Sequence, residues 1–473
     1  MRQLNAIDAS FLNLETGRSP MHLTSLLVFD RASAPSTSIG VDEIIATVAE
    51  RGPLVPRYRE RIVRVPFSLG HPWWVDDRSF DPAAHVRHEV LASPGGWDEL
   101  CAMTGALAAR PLDLSKPVWE LTVIEGFTGG NGLPDYPLIV VLKTHHAAVD
   151  GVTGMQILST LLDASPNAKA IEAPTVRPES TPTSLELSAR ALATAALQPL
   201  HDTRLMVEQL PRARQLARGI VRARGQAKTE GSRSAPSTPF GGPISADRVI
   251  DGIAIDLEAV RRIKAPVAGA TVNDVVLSVT GGALRSYLDA TGELPTASLT
   301  AMVPVSLHAE GSSDGENRVA SLVVSLHTDI EAPLARLAAI HKSTDEAKAV
   351  SAEIGTDHFV DLVAHAPAVL VTAGTRFAAR TGVLSQSRRV FNTTITNVPG
   401  PREATYLCGA RLIAHYGMGP ILDGAGIFHC VHGVEKQLFL TVTSCPERLP
   451  DPRFYAECLQ SSVAAHLEAL GAR

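Results

Sequence analysis

The chain has 473 residues, 45% of them hydrophobic and 19% charged, with a formal net charge of -6. That length exceeds what one hydrophobic core usually fills, so two domains are expected, and the apolar content excludes a largely disordered chain. The weak acidic balance gives no electrostatic footprint for nucleic acid. The five cysteines, Cys101, Cys408, Cys430, Cys445 and Cys458, show no CxxC or Cys/His spacing, which predicts reduced thiols rather than a disulfide or zinc framework.

The first residues, Met1 to Asp8, lack a basic segment followed by a long apolar core, so no secretory signal is expected. The longest apolar candidate, 362–374, is interrupted by His365 and Pro367 and falls short of the roughly 20 residues that span a bilayer. These features predict a soluble or peripheral cytoplasmic protein.

In chain order, Met21 to Phe29 reads as a strand closed by Asp30-Arg31. Val41, Ile44, Ile45 and Val48 have the spacing of one helical face over 41–51. His71-Pro72-Trp73-Trp74-Val75 reads as a strand edge packed on the core, Glu99 to Ala109 as a helix and Val118 to Glu125 as a strand. The apolar run Leu138 to Thr144 predicts a further strand. It leads into His145-His146-Ala147-Ala148-Val149-Asp150-Gly151, and Val152 to Leu162 then carries a helical apolar face. Strands and helices thus mix in an α/β arrangement over 1–173.

Residues 174–243 differ in composition. Pro- and Ser-rich flanks enclose a stretch of helical propensity, and ten Lys/Arg against five Asp/Glu between Arg177 and Phe240 concentrate positive charge in a chain that is acidic overall. Two readings stand: a solvated helical connector between domains, or a basic helix resting on anionic lipid, at a membrane or a lipid droplet. The second domain, 244–473, opens with a strand from Arg248 to Ile255 and a helix from Leu257 to Lys264. Thr271 is then a candidate N-cap, with Asp274 three residues on, for a helix to Leu288. Strands follow at 298–306 and 321–327, a helix at 333–350 and a strand at 390–398 ended by Pro399-Gly400-Pro401. A hairpin across Val434-Glu435-Lys436 and a last helix over 452–470 complete the chain.

No Gly-x-Ser-x-Gly elbow and no Gly-Lys-Ser/Thr phosphate loop occurs, so serine-hydrolase and nucleotide-triphosphate chemistry lack support. Gly417-Met418-Gly419-Pro420 reads as a loop. The paired histidines and Asp150 raise the question of a metal. Neighbouring side chains of an extended segment point to opposite faces, so His145 and His146 do not readily chelate one ion, and no metal is expected. The same alternation favours one imidazole in a cleft and one in the interior. Histidine serves as a general base without a metal, because its ordinary pKa of about 6.5 leaves much of it neutral near pH 7. Asp150 would fix the turn by pairing with an arginine or capping the next helix, and Gly151 would allow close approach of backbone or substrate.

His-His-x-x-x-Asp-Gly over 145–151 resembles the signature of the coenzyme A-dependent acyltransferase superfamily, which includes chloramphenicol acetyltransferases and peptide-synthetase condensation domains. Further stretches resemble one branch, the bacterial wax ester synthase/diacylglycerol acyltransferase family. They are Asp8-Ala9-Ser10-Phe11, Pro20-Met21-His22, Arg110-Pro111-Leu112-Asp113, Pro117-Val118-Trp119-Glu120, Thr271-Val272-Asn273-Asp274-Val275, Val303-Pro304-Val305-Ser306-Leu307 and Asn397-Val398-Pro399-Gly400-Pro401. The resemblance implies two chloramphenicol acetyltransferase-like domains, each a mixed sheet with helices, enclosing a tunnel at their interface. It implies acyl-coenzyme A as donor substrate, no resident cofactor, and diacylglycerol or a fatty alcohol as acceptor. His146 would take the proton of the acceptor hydroxyl; Asn273 would serve the thioester oxygen or shape the site, or else only start its helix, with Asp274 structural. The chain departs from the family pattern at His308, at Val431-His432 and at Ser444-Cys445-Pro446. The alternatives from other classes are a non-catalytic acyl-coenzyme A or lipid-binding protein of the same fold, and an acyltransferase for another hydroxyl.

Overall fold

The computed structural model describes residues 1–35, 39–149, 158–167, 182–191, 193, 235–306, 319–354, 372, 376 and 390–471. In order these form β1 (Arg2–Gln3), α1 (Ala6–Leu14), β2 (His22–Asp30), α2 (Val41–Arg51), β3 (Glu60–Val63), β4 (Trp73–Asp76), β5 (Val86–Val90), α3 (Trp97–Ala109), β6 (Trp119–Glu125) and β7 (Leu138–His145). The second half supplies β8 (Val249–Asp256), α4 (Leu257–Lys264), α5 (Val272–Ala290), β9 (Thr300–Ser306), β10 (Val319–Ser325), α6 (Pro333–Ile354), β11 (Thr393–Val398), β12 (Tyr406–Leu407), β13 (Ala410–Met418), β14 (Ile427–Val434), β15 (Gln437–Ser444) and α7 (Pro452–Gly471).

Two six-stranded sheets carry the molecule, in the orders β12-β13-β2-β7-β6-β5 and β10-β9-β11-β14-β15-β8, beside a small sheet β1-β4-β3. Each large sheet has its own hydrophobic core. The first sheet is not built from the first half of the chain alone, because β13 runs antiparallel to β2, with His415 opposite Leu27 and Met418 opposite Thr24. Division by chain position into 1–173, 174–243 and 244–473 therefore does not coincide with division by sheet.

Strand β7 explains its own sequence. It lies between β2 and β6 and all eight of its residues are buried, which requires a continuous apolar run rather than alternation. The run ends in the polar residues Lys143, Thr144 and His145, and Lys143 is only 2% exposed. Its ammonium donates to the Leu107 and Arg110 carbonyls at 3.1 and 3.0 Å and lies 3.4 Å from Glu120. It thereby neutralises the carbonyl-rich C-terminus of α3 and fixes that helix on the sheet.

Helix α5 starts as its sequence requires. Thr271 Oγ1 accepts from the Asp274 amide at 3.2 Å, and the Asp274 carboxylate accepts from the Thr271 amide at 2.8 Å. Two expectations need correction. The Trp73-Trp74 segment is the middle strand of the small sheet, between β1 and β3, rather than an edge; Trp74 is fully buried beneath the Arg57 guanidinium, 4.1 Å from its ring. Gly417 and Met418 belong to β13 rather than a loop, and glycine is required there because a Cβ would lie 2.2 Å from the His432 ring. Helix α1 was not anticipated, although Asn5 caps it by accepting from the Asp8 amide at 2.7 Å. Most of the helix expected over 152–162, and most of 174–243, lie outside the described residues.

Several buried histidines have no oppositely charged partner among the described residues. His429 bridges Thr393 and Tyr455 at 2.9 and 2.7 Å, and the His466 Nδ1 proton goes to the Ser462 carbonyl while Nε2 accepts from the Ser278 hydroxyl at 2.8 Å. His432 stacks on His415 with ring centroids 3.8 Å apart, and His415 meets the Ser25 hydroxyl at 2.9 Å. Burial lowers His429 to about 3, His432 to about 4 and His466 to about 4. The unfolded chain therefore binds protons at these sites from about pH 6.5 downward while the native protein does not. Their contribution is complete above about pH 6.5 and is lost as pH falls toward 3 to 4. The melting temperature should accordingly be flat from pH 7 to 8 and fall steadily below pH 6.5 in a thermal-shift series. A midpoint unchanged down to pH 4.5 would contradict this.

Candidate active site

At the end of β7 the backbone leaves the sheet through a short 3-10 turn, His146–Ala148. The His146 amide still donates to the Met21 carbonyl at 2.8 Å, and His145 lies directly across from His22 on β2. The two motif histidines then part. His145 is fully buried, and its Nδ1 accepts from the Ala147 amide at 3.0 Å. Because Nδ1 is an acceptor, the ring proton sits on Nε2. That nitrogen faces Glu15, 3.6 Å from Oε2. Burial alone would raise the Glu15 carboxyl, but His145 and the Met21 amide bring it below its ordinary value.

His146 is half-buried. Its ring stacks on Phe11, centroids 3.8 Å apart and planes inclined by 17°. Among the described residues Nδ1 is buried with no side-chain hydrogen-bond partner. Burial dominates and lowers its pKa to about 4, with a smaller push from His145. At neutral pH the ring is thus uncharged and offers a basic lone pair, which a general base needs.

Phe11 and Glu15 are four residues apart at the end of α1, so one helical face meets both histidines. Ala9 and Leu12 of the same helix pack with Ala147, Ala148, Ile62 and Trp74. Helix α1 is therefore the lid of the motif turn, and the small sheet supports it. Sequence reasoning missed Phe11 and Glu15 as site residues. The signal was the Asn5 cap followed by apolar residues at helical spacing. Replacing Glu15 by Gln removes the charge facing His145 at nearly constant shape. The expected result is a fall in kcat of about 10-fold with KM little changed, on the scale of partners that orient a histidine. Steady-state kinetics check it, and an unaltered kcat would show that Glu15 does not orient the turn.

The structure places Asn273 and Asp274 in the first turn of α5, in the second core. Asp274 is fully buried, and its carboxylate accepts from Thr271 and lies 3.1 Å from His341 Nδ1. Asn273 is half-buried. Among the described residues no hydrogen bond or ring contact joins either one to His145 or His146. Asp150, Gly151 and His308 lie outside the described residues. At the other departures, His432 forms the stacked pair with His415 and Cys445 is fully buried. Among the described residues no group of three or more His, Cys, Asp or Glu has metal-binding geometry, and no helix is long and apolar enough to cross a membrane.

Comparison with known proteins agrees with this geometry. The wax ester synthase/diacylglycerol acyltransferase catalytic domain matches residues 4–276, and the C-terminal domain of the same family matches residues 316–465. A Mycobacterium tuberculosis (strain ATCC 25618 / H37Rv) protein assigned by name to the diacylglycerol O-acyltransferases is 32% identical over 95% of this chain and 87% of its own. The solved wax ester synthase/diacylglycerol acyltransferase of Marinobacter aquaeolei VT8 superposes with a TM-score of 0.70 at 25% identity, covering 100% of both chains. The starter condensation domain of rhizomide synthetase, solved with C8-coenzyme A, shares the fold, with a TM-score of 0.54 at 12% identity over 99% of this chain and 94% of that one. The fold is thus that of the two-domain, chloramphenicol acetyltransferase-like acyltransferases, and the chain belongs to the wax ester synthase/diacylglycerol acyltransferase family.

Proposed function

We propose that this acyl-coenzyme A-dependent O-acyltransferase moves a long-chain fatty acyl group onto the free hydroxyl of diacylglycerol, giving triacylglycerol, and accepts fatty alcohols in the same way. The observation that carries the chemical part is the His146 ring, stacked on Phe11 at the end of a buried strand, where burial lowers its pKa to about 4. In this reading His146 removes the hydroxyl proton as the oxygen attacks the thioester carbonyl. The carbon–sulfur bond then breaks, and the proton passes to the departing coenzyme A thiolate. A thioester is activated enough for direct attack, so neither an acyl-enzyme nor a resident cofactor is required. Developing charge on the carbonyl oxygen needs a donor, and the Asn273 amide, which makes no hydrogen bond among the described residues, is the candidate in the second domain. His145, held by Ala147 and Glu15, keeps the turn in place.

The acceptor is tested with labelled palmitoyl-coenzyme A against diacylglycerol, monoacylglycerol and hexadecanol. The expected result is label in triacylglycerol, with wax ester as a second product. Coenzyme A-ester binding without product from any acceptor would favour a lipid-binding role and overturn this reading.

A further inference from the structure

Between β3 and β4 the chain makes a short turn, Pro66–Ser68. Phe67 at its tip is 92% exposed, and both Phe67 and Ser68 have φ of 55°. Two consecutive non-glycine residues in the left-handed region cost free energy that glycine or asparagine would largely avoid. The ring contributes almost nothing to the folded core in return. The base of the turn is fixed. Val65 is buried, Arg376 Nη1 donates to Ser68 Oγ at 3.2 Å, and the Gln3 amide donates to the His71 carbonyl at 3.1 Å.

The surroundings select the partner. Arg64 is exposed three residues before the tip. Among the described residues neither Arg64 nor Arg376 forms a salt bridge with a carboxylate. Beside the turn, Ala191 packs on Gly70, and its helical segment 184–191 carries Leu185, 80% exposed. One protruding ring, a second exposed apolar side chain and the Arg64 and Arg376 guanidinium groups suit an interface of acyl chains beneath anionic headgroups. The turn also belongs to the small sheet whose Ile62 and Trp74 pack with Ala147 and Ala148 of the motif turn. We propose that the Phe67 turn is a lipid-surface anchor, inserting its ring into an anionic bilayer and holding the active-site side of the molecule against it. The functional value of this placement rests on the lipid-acyltransferase reading above.

The test uses the full-length chain and vesicles of phosphatidylcholine with phosphatidylglycerol. Wild type should float with the vesicles, and F67S should reduce partitioning roughly 10- to 100-fold, the range for withdrawing one aromatic ring from an apolar phase, with no loss of melting temperature. F67W should show a blue shift of its emission on vesicle addition. With dioleoylglycerol in vesicles F67S should lose turnover in proportion, while transfer to water-dispersed dioctanoylglycerol stays unchanged. Unaltered flotation of F67S, no spectral shift in F67W, or no vesicle binding by wild type would each overturn the anchor. Vesicle binding through Phe67 without acyl transfer to any acceptor would instead uphold the anchor and overturn the acyltransferase reading.

Discussion

Replacing His146 by Ala should lower kcat about 100- to 10,000-fold, the range that a positioned general base supplies. The protein should still fold. His146 is half-buried, and its principal described contact is the Phe11 stack, worth about 1 kcal/mol. His145 offers no such separation, because it is fully buried, bonded to the Ala147 amide and faces Glu15, so its loss disturbs turn and chemistry together. The sign of the pH dependence follows from burial. Lowering the His146 pKa to about 4 keeps the base competent throughout the neutral range, and activity is lost only as pH falls through that value. The profile of kcat/KM should show no inflection near the ordinary histidine value of about 6.5. Full activity in a folded His146→Ala protein would remove the ring from the chemistry.

The largest effect on stability is expected at Gly400. A Cβ there would lie 1.6 Å from the Gly433 carbonyl oxygen and 2.6 Å from its carbon. Both contacts are to backbone, so no side-chain rotation relieves them, and Pro399 and Pro401 stiffen the chain on either side. The Glu435 amide also donates to the Pro401 carbonyl at 3.1 Å, tying this segment to the end of β14. Gly400→Ala should destabilise by more than about 4 kcal/mol, seen as insoluble protein or a melting temperature lowered by about 4 to 8 °C or more. Gly17→Ala is the control, since nothing lies within 4 Å of the added atom, and it should melt like wild type. A soluble Gly400→Ala protein with an unchanged midpoint would show that the close approach of the two strands is not required.

Local patterns were legible where one periodicity governed. The faces of α2 and α4, the cap of α5 and the hairpin of β14 and β15 follow from apolar spacing and polar caps, because neighbours in sequence determine them. The motif at 145–151 was legible through its residue types and its place after an apolar run. What the sequence concealed depends on distant partners. Strand β13 reads as irregular because Gly417 answers to His432 across the joint between strands, and nothing local announces that ring. Glu15 looks like any acid after a helix until folding brings it to His145, 130 positions later. Trp74 suggested an edge because aromatic residues suit one. Its burial under Arg57 depends on β1 and β3 arriving from both sides.

Direct transfer from the thioester to a hydroxyl at His146 is tested most plainly by a single-turnover rapid quench. Stoichiometric labelled palmitoyl-coenzyme A is mixed with wild type and dioleoylglycerol, and the quenched protein and lipid are counted separately. The account predicts one labelled triacylglycerol for each coenzyme A released, at a rate that falls with His146→Ala, and no label on protein at any time. Label that accumulates on the protein before reaching lipid, or coenzyme A released without an acylated acceptor, would contradict it.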